Sequence, residues 1–580
     1  MNYSLNNTKN SSTFSAIKKF SPMLKGEGKN MSLALVALLI NTATSLIAPL
    51  VIGQAINTSI LKKDYHGVFI SSLILLSLYI LGFITSYFQT KLMGSVGQRL
   101  LYNLRNKVFL KLQQLPIAFF NQNKAGDLIS RINNDTDKLN QFFSQGLLQF
   151  IGSIFMMTGA AIFMVVLQIQ LGLAALIPAV LILVITWIVT PWVKSKNAIN
   201  LKAIGGMSAE ISESLDNFKV VVAFNRRDYF RERFQAVNEI TYKSSIIAGI
   251  ANNIFTPLYG LAGSIAQIIV LFYGIYLISI GQFTIGILIS YFIYLTRFYD
   301  PIRQIASIWS TFQVALAGWD RISEVLNLSS DLLVVEQKEK VADGILSFQN
   351  VSFKYGDKDV LKDAAFTLEV GKTYALVGPT GGGKTTTASL MARLYDPTVG
   401  VIALNGLDIR SYTDEERSQK IGFILQEPFL FTGTIKENIL YGNEKYLKLT
   451  EKELVRIIKD HGLSDILTKF DKGLETLVST QGETISLGQK QLIAFMRAIL
   501  RNPELLILDE ATANIDTVTE KLLDEILAKL PKKTTKVIIA HRLNTIENAD
   551  EIFFVNSGEI IRAGSLKHAM DMLLKGNRQS

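Results

Sequence analysis

The chain has 580 residues, 49% of them hydrophobic and 19% charged, with 59 Lys and Arg against 49 Asp and Glu for a formal charge of +10. Soluble domains carry about 25% charge, so this deficit and a mean hydropathy of +0.28 exclude a disordered or collagen-like chain and point to a membrane protein with a soluble part. The absence of cysteine excludes a disulfide framework, thiolate chemistry and sulfur-ligated zinc.

A basic tail (Lys9, Lys18, Lys19, Lys25, Lys29) precedes the first apolar run. Six segments are predicted to span a bilayer: Met31–Gly53, Val68–Phe88, Leu147–Leu167, Leu171–Trp192, Ile254–Ile280 and Phe283–Leu295, the last continuing as a helix past Arg297. The first is too long for a cleavable signal peptide. Odd-to-even connections are short. Those after spans two and four are long and basic, carrying Arg99, Arg105 and Arg131, and Lys194, Arg226 and Arg233. Positive-inside bias places the tail, both long loops and the C-terminal half in the cytoplasm. Apolar residues in 101–114 recur at three- and four-residue spacing, so the loops are read as extended membrane helices. Transverse helices are expected near Phe119–Leu128 and Ser212–Lys219.

The domain boundaries read from this pattern are 1–30 for the tail, 31–326 for the membrane domain, 327–343 for a polar linker and 344–580 for a soluble α/β domain. In that last part, a strand at Ala375–Val377 leads into Gly378, Pro379, Thr380, Gly381, Gly382, Gly383, Lys384 and Thr385, then a helix from Thr386. This fits G-x-x-x-x-G-K-[ST]. Such a loop wraps backbone N–H groups around a β-phosphate at a helix N-terminus, with Lys384 on the β- and γ-phosphates and Thr385 on Mg²⁺. A second apolar strand, Leu505–Leu508, ends in Asp509 and Glu510. Asp509 is placed to hold Mg²⁺ and Glu510 to orient or deprotonate an attacking water.

With Ala511 and Thr512 after that pair, and Ile485-Ser486-Leu487-Gly488-Gln489 before it, the soluble half resembles an ABC-transporter ATPase domain. Six spans on its N-terminal side resemble an ABC exporter half-transporter of the multidrug and lipid-flippase type. The loop residues Leu115, Pro116, Phe119, Phe120, Gly126–Leu128, Ser130, Arg131 and Asn134–Asp137 are similar to the first intracellular loop of that family. The resemblance implies six membrane helices with long cytoplasmic extensions followed by an α/β P-loop ATPase domain. It implies ATP and Mg²⁺ as ligands. It assigns Tyr355 to stacking on adenine, Gln426 to sensing Mg²⁺, His541 to the γ-phosphate and Asp516 to the dimer seam. Ser486, Gly488 and Gln489 would meet the nucleotide of the opposite subunit. The other histidines (His66, His461, His568) read as surface residues.

One membrane half and one nucleotide loop imply a second half-transporter as partner. Leu487 stands where the family has glycine, and Thr480 where it commonly has a carboxylate; both departures favour a heterodimer over a homodimer. The function implied is ATP-driven export or flipping of a hydrophobic small molecule or lipid across the cytoplasmic membrane, with no nucleic acid. An importer and an ATP-gated channel or regulatory subunit are the alternatives. Polar residues in spans often line a pathway, which singles out Asn41, Thr42, Asn252, Asn253, Gln267 and Arg297. Arg297 and Asp300 are spaced to pair on one helix. Tyr291, Phe292, Tyr294, Phe298 and Tyr299 read first as packing residues and second as a stacking surface.

Overall fold

The computed structural model describes residues 3–5, 26–330, 332, 334–336, 339–478, 485–509, 517–539, 546–564, 567–568 and 571–572. Within them the chain forms two compact units. One is Leu5–Gln113 with Ala125–Asn327. The other is Met1–Ser4 and Gln114–Lys124 with Leu328–Ser580, so the tip of the first long loop belongs to the C-terminal unit.

The first unit is helical. Its long helices are α1 (Gly28–Ala55), α2 (Tyr65–Gln113), then, past the loop tip α3 (Ile117–Gln122) and the short α4 (Ala125–Ser130), α5 (Leu147–Leu167) and α6 (Ile169–Asp216). After α7 (Phe218–Ala223) come α8 (Arg227–Asn253), α9 (Phe255–Ser279) and α10 (Ile285–Leu326). At 1.5 Å per residue, the 49 residues of α2 reach about 74 Å, more than twice the ~30 Å hydrocarbon layer.

Among the described residues, five helices are long and apolar enough to cross a membrane, not the expected six. The exception is α10, whose apolar start gives way within one span to Arg297, Asp300 and Arg303. It is nevertheless the core helix of the unit: Tyr291, Tyr294, Leu295 and Tyr299 are buried against α5, α6 and α9. The three tyrosine hydroxyls hold backbone carbonyls outside α10. Tyr294 donates to Leu46 O at 2.6 Å, Tyr299 to Ala175 O at 2.8 Å, and Tyr291 to Gln168 O at 2.9 Å and to Met164 O. These tyrosines are packing residues. Where α1 meets α10, a Cβ on Gly286 would lie 2.1 Å from Gly53 O, so only glycine permits this approach. There Asn57 Oδ1 accepts from Gly286 N–H (2.9 Å) and Asn57 Nδ2 donates to Thr284 Oγ1 (2.8 Å), satisfying the start of α10.

Neither transverse helix falls where expected. The first is broken in two at Asn123, which is extended and donates its amide to Phe119 O at 2.8 Å, closing α3. The second begins later: α6 runs to Asp216, Asn217 caps it through a bond to Glu213 O (2.9 Å), and α7 starts at Phe218. Both asparagines use their own amide on an i−4 carbonyl, which competes with helix continuation.

The second unit is α/β. An antiparallel sheet has the order β2 (Lys358–Leu368), β1 (Leu346–Tyr355), β4 (Val399–Leu404), β5 (Leu407–Asp408). A two-stranded ribbon joins β7 (Gly433–Thr434) to β8 (Leu477–Val478). The main sheet runs β12 (Glu559–Arg562), β11 (Glu551–Asn556), β3 (Thr373–Val377), β10 (Thr535–Ile539), β9 (Leu505–Asp509), β6 (Ile421–Ile424). All its pairs are parallel except β11 with β12. Its central strands are buried along their length, which is why they read as continuous apolar runs. Tyr3, 2% exposed, packs edge-on to Phe119 and takes Gln122 Oε1 on its N–H at 2.7 Å.

Candidate functional site

The parallel register sets the carboxyl ends of four strands side by side: Ile539 lies opposite Leu376 and Asp509, and Ile424 opposite Leu508. In such sheets this edge is where ligands bind. The glycine-rich loop leaves β3 there and enters the helix α11 (Lys384–Met391). Gly378 takes φ +147° and a Cβ on it would lie 2.0 Å from Val555 O; Gly383, at φ +113°, is the N-cap of α11. The loop is thereby pinned flat against β11, with its N–H groups at the helix start.

Lys384, 5% exposed, folds over the loop. Its Nζ donates to Gly378 O (2.9 Å) and Pro379 O (3.0 Å). Thr385 Oγ1 donates to Asp509 Oδ1 at 3.2 Å. Asp509 is 4% exposed. An exposed hydroxyl and a buried carboxylate at hydrogen-bond distance form the hard-oxygen pair that suits Mg²⁺. A cavity of about 500 Å³ opens here, lined by Tyr355, Thr380, Gly381, Gly383, Lys384, Thr385 and Thr386. Tyr355 is 42% exposed and stands edge-on to Phe353 and Tyr395. Burial raises the Tyr395 phenol above its ordinary pKa, keeping its proton, and its oxygen accepts from Asn121 Nδ2 on α3 at 2.7 Å.

The structure therefore gathers Tyr355, the loop, Lys384, Thr385, Thr386 and Asp509. Gln426 is exposed beyond β6 and does not line the cavity. Neither do Ser486, Gly488 and Gln489, which open a separate helix, α12 (Leu487–Ile499). There Ser486 Oγ accepts from Gln489 N–H (3.2 Å) and Gln489 Oε1 from Ser486 N–H (2.9 Å), a reciprocal cap. Glu510, Asp516, His541 and Thr480 lie outside the described residues. Of the remaining histidines, His66 and His568 are exposed, but His461 is half-buried and caps its helix on Ile457 O at 2.7 Å. Sequence reasoning missed Lys358, Asp359, Val360, Lys362, Ser557 and Gly558, which complete the lining. The last two come from the β11–β12 turn, which has no local signature of phosphate binding.

The membrane unit holds a second cavity, of about 880 Å³. Asn41, Thr42, Gln267, Phe292 and Arg297 line it as the sequence suggested; Gln89, Gln149 and Gln304 also do. Asn252 instead pairs with Asn197 (2.8 and 3.0 Å), and Asn253 bonds Gly249 O. Arg297 does not pair with Asp300, whose partner is Arg303 at 3.3 Å.

Residues 31–302 match the ABC transporter transmembrane region and residues 361–513 the ABC transporter family. This chain belongs to the ABC transporters. It is 34% identical to an uncharacterised ABC transporter ATP-binding protein of Bacillus subtilis, over 92% of this chain and 88% of that one. It is 32% identical to a fatty acid ABC transporter ATP-binding/permease protein of Mycobacterium bovis (87% and 79%) and 31% identical to a multidrug resistance ABC transporter protein of Lactococcus lactis (92% and 90%). The transporter is thus of exporter type, a multi-pass membrane protein with an ATP-binding ATPase domain, and its half-transporter architecture implies a dimer.

Proposed function

We propose that this ABC transporter uses ATP to export an amphipathic or hydrophobic molecule across the cytoplasmic membrane, or to flip it between leaflets, by alternating access. The observation that carries this reading is the cavity of about 880 Å³ among the membrane helices of a chain that also carries a nucleotide loop. The fatty acid and multidrug relatives support an amphipathic or apolar cargo. Basic loops support both termini in the cytoplasm.

In this reading Lys384 exchanges its two loop carbonyls for phosphate oxygens, and Tyr355 stacks on the base, a contact of about 1–3 kcal/mol. Thr385 and Asp509 would hold Mg²⁺, with Gln426 arriving at the same edge; the ion neutralises phosphate charge. Glu510 orients or deprotonates the attacking water and His541 meets the γ-phosphate. Ser486, Gly488 and Gln489 present the start of α12 to the nucleotide of the partner subunit, with Asp516 at the seam. The partner is a second half-transporter, identical or related, and Leu487 favours a related one. Nucleotide acts by binding the closed dimer better than the open one.

The test is accumulation of a labelled amphiphile in inverted membrane vesicles. Export predicts ATP-dependent uptake, abolished together with ATP hydrolysis in Lys384→Ala. Uptake only into right-side-out vesicles would make the protein an importer. Ion flux that persists with ATP bound and unhydrolysed would make it a channel, and normal hydrolysis by Lys384→Ala would refute the phosphate assignment.

A further inference from the structure

Among the described residues, one cation that lines the membrane cavity has no ion-pair partner. Arg297 lies 12 residues after the start of α10, about 18 Å along the helix axis. It is half-buried and lines the cavity. Among the described residues it forms no ion pair. Among the described residues Asp300 is the one other charged side chain lining this cavity, and it is engaged by Arg303. A half-buried cation without an ion-pair partner is costly.

The surroundings are suited to a polar head on an apolar body. Asn41, Gln89, Gln149, Gln267 and Gln304 supply neutral donors and acceptors. Gln149 and Gln304 are only 3.5 Å apart, at the limit of a bond. Among the described residues the Oε1 of Gln89, shut off from solvent, has no hydrogen-bond partner. Leu38, Met93, Leu148, Met156, Ile289 and Phe292 make the apolar part of the wall.

We infer that this cavity selects an anionic amphiphile, whose carboxylate or phosphate is held by the Arg297 guanidinium and oriented by the surrounding amides, while its apolar body lies on the aliphatic wall. This deepens the transport reading and rests on it for the claim that the bound molecule is cargo. The chemistry is one planar, forked donor against an oxyanion. Charge-assisted bonds of this kind separate an anion from its neutral analogue by about tenfold or more in affinity.

The experiment uses the full-length dimer in phosphatidylcholine nanodiscs and measures retention of radiolabelled oleate, oleyl phosphate and oleyl alcohol without nucleotide. At least one anion is expected to bind about tenfold or more tighter than the alcohol. That gap should close in Arg297→Gln and largely survive in Arg297→Lys, which keeps the charge. The tighter of the two anions identifies the headgroup as carboxylate or phosphate; equal binding means that charge alone is read. An unchanged gap in Arg297→Gln, or no preference for either anion in the wild type, overturns the inference. Anion binding that follows Arg297 but never leads to ATP-driven accumulation in vesicles would instead sink the transport reading and leave the site standing.

Discussion

At the level of single residues, Leu487 is the position where chemistry and fold pull apart. Ser486 Oγ accepts from Gln489 N–H, so its own proton stays available to an anion at the start of α12. Leu487 follows as the first helical residue and is 40% exposed, so its side chain crowds the approach to the helix N-terminus that a glycine leaves open. Leu487→Gly is expected to raise ATPase turnover a few-fold, on the order of 1 kcal/mol of recovered phosphate contact. The same change lowers helix stability by about 1 kcal/mol or less. Steady-state ATPase assays with a thermal melt separate the two effects, and unchanged turnover would show that Leu487 does not obstruct the site. Lys384 and Thr385 were legible because a phosphate cradle needs a contiguous pattern. Gly558 was not, because it is delivered to Gly382 O at 3.2 Å by a turn far along the chain.

At the level of elements, the return leg of the first long loop is bolted to the end of α10. Arg131, 1% exposed, donates from Nε to Asp127 (2.8 Å) and from Nη1 to Glu324 (2.9 Å) and Arg321 O (2.5 Å). Arg321 in turn pairs with Asp127, and with Asp135 at 3.3 Å. Three carboxylates are thus served by two arginines and by Lys138, which pairs with Asp135 at 3.1 Å, and α10 ends where the chain leaves for the ATPase unit. Arg131→Ala removes one arginine from Asp127 and from Glu324. It is expected to cost about 1–3 kcal/mol of stability and to lower transport more than ATP hydrolysis. The check is the transport-to-ATPase ratio in vesicles alongside the thermal midpoint; an unchanged ratio would leave the cluster a purely structural staple. Arg131→Lys should recover only part, because it keeps the charge without the fork. The sequence pointed to this loop, but the helix breaks at Asn123 and Asn217 were missed because they turn on where one side-chain amide bonds.

At the level of the whole molecule, large apolar side chains stand in the open on the long helices, among them Phe83 at 74%, Trp187 at 79% and Phe272 at 75% exposure. Water does not tolerate such a surface, whereas lipid does. One chain has one nucleotide loop, and in the proposed mechanism Ser486 of one subunit completes the site of another. ATPase activity per chain in detergent is therefore expected to fall on dilution through the dimer dissociation range, and to be rescued by cross-linking or by returning the protein to lipid. Activity per chain that is independent of concentration over several decades would argue for a self-sufficient monomer.

Five spanning helices, the α/β domain and the phosphate-binding loop are legible in the amino-acid sequence, because hydropathy, period and contiguous motifs are local properties of a chain. Only the tertiary structure decided which polar residues of the helices share a cavity. Asn41, Gln89, Gln267 and Arg297 line it together, while Asn252 closes on Asn197 and three tyrosines of α10 spend their hydroxyls on carbonyls outside α10. The physical reason is that a buried polar group takes whichever partner the packing supplies, and that partner is set by contacts between residues distant in the chain.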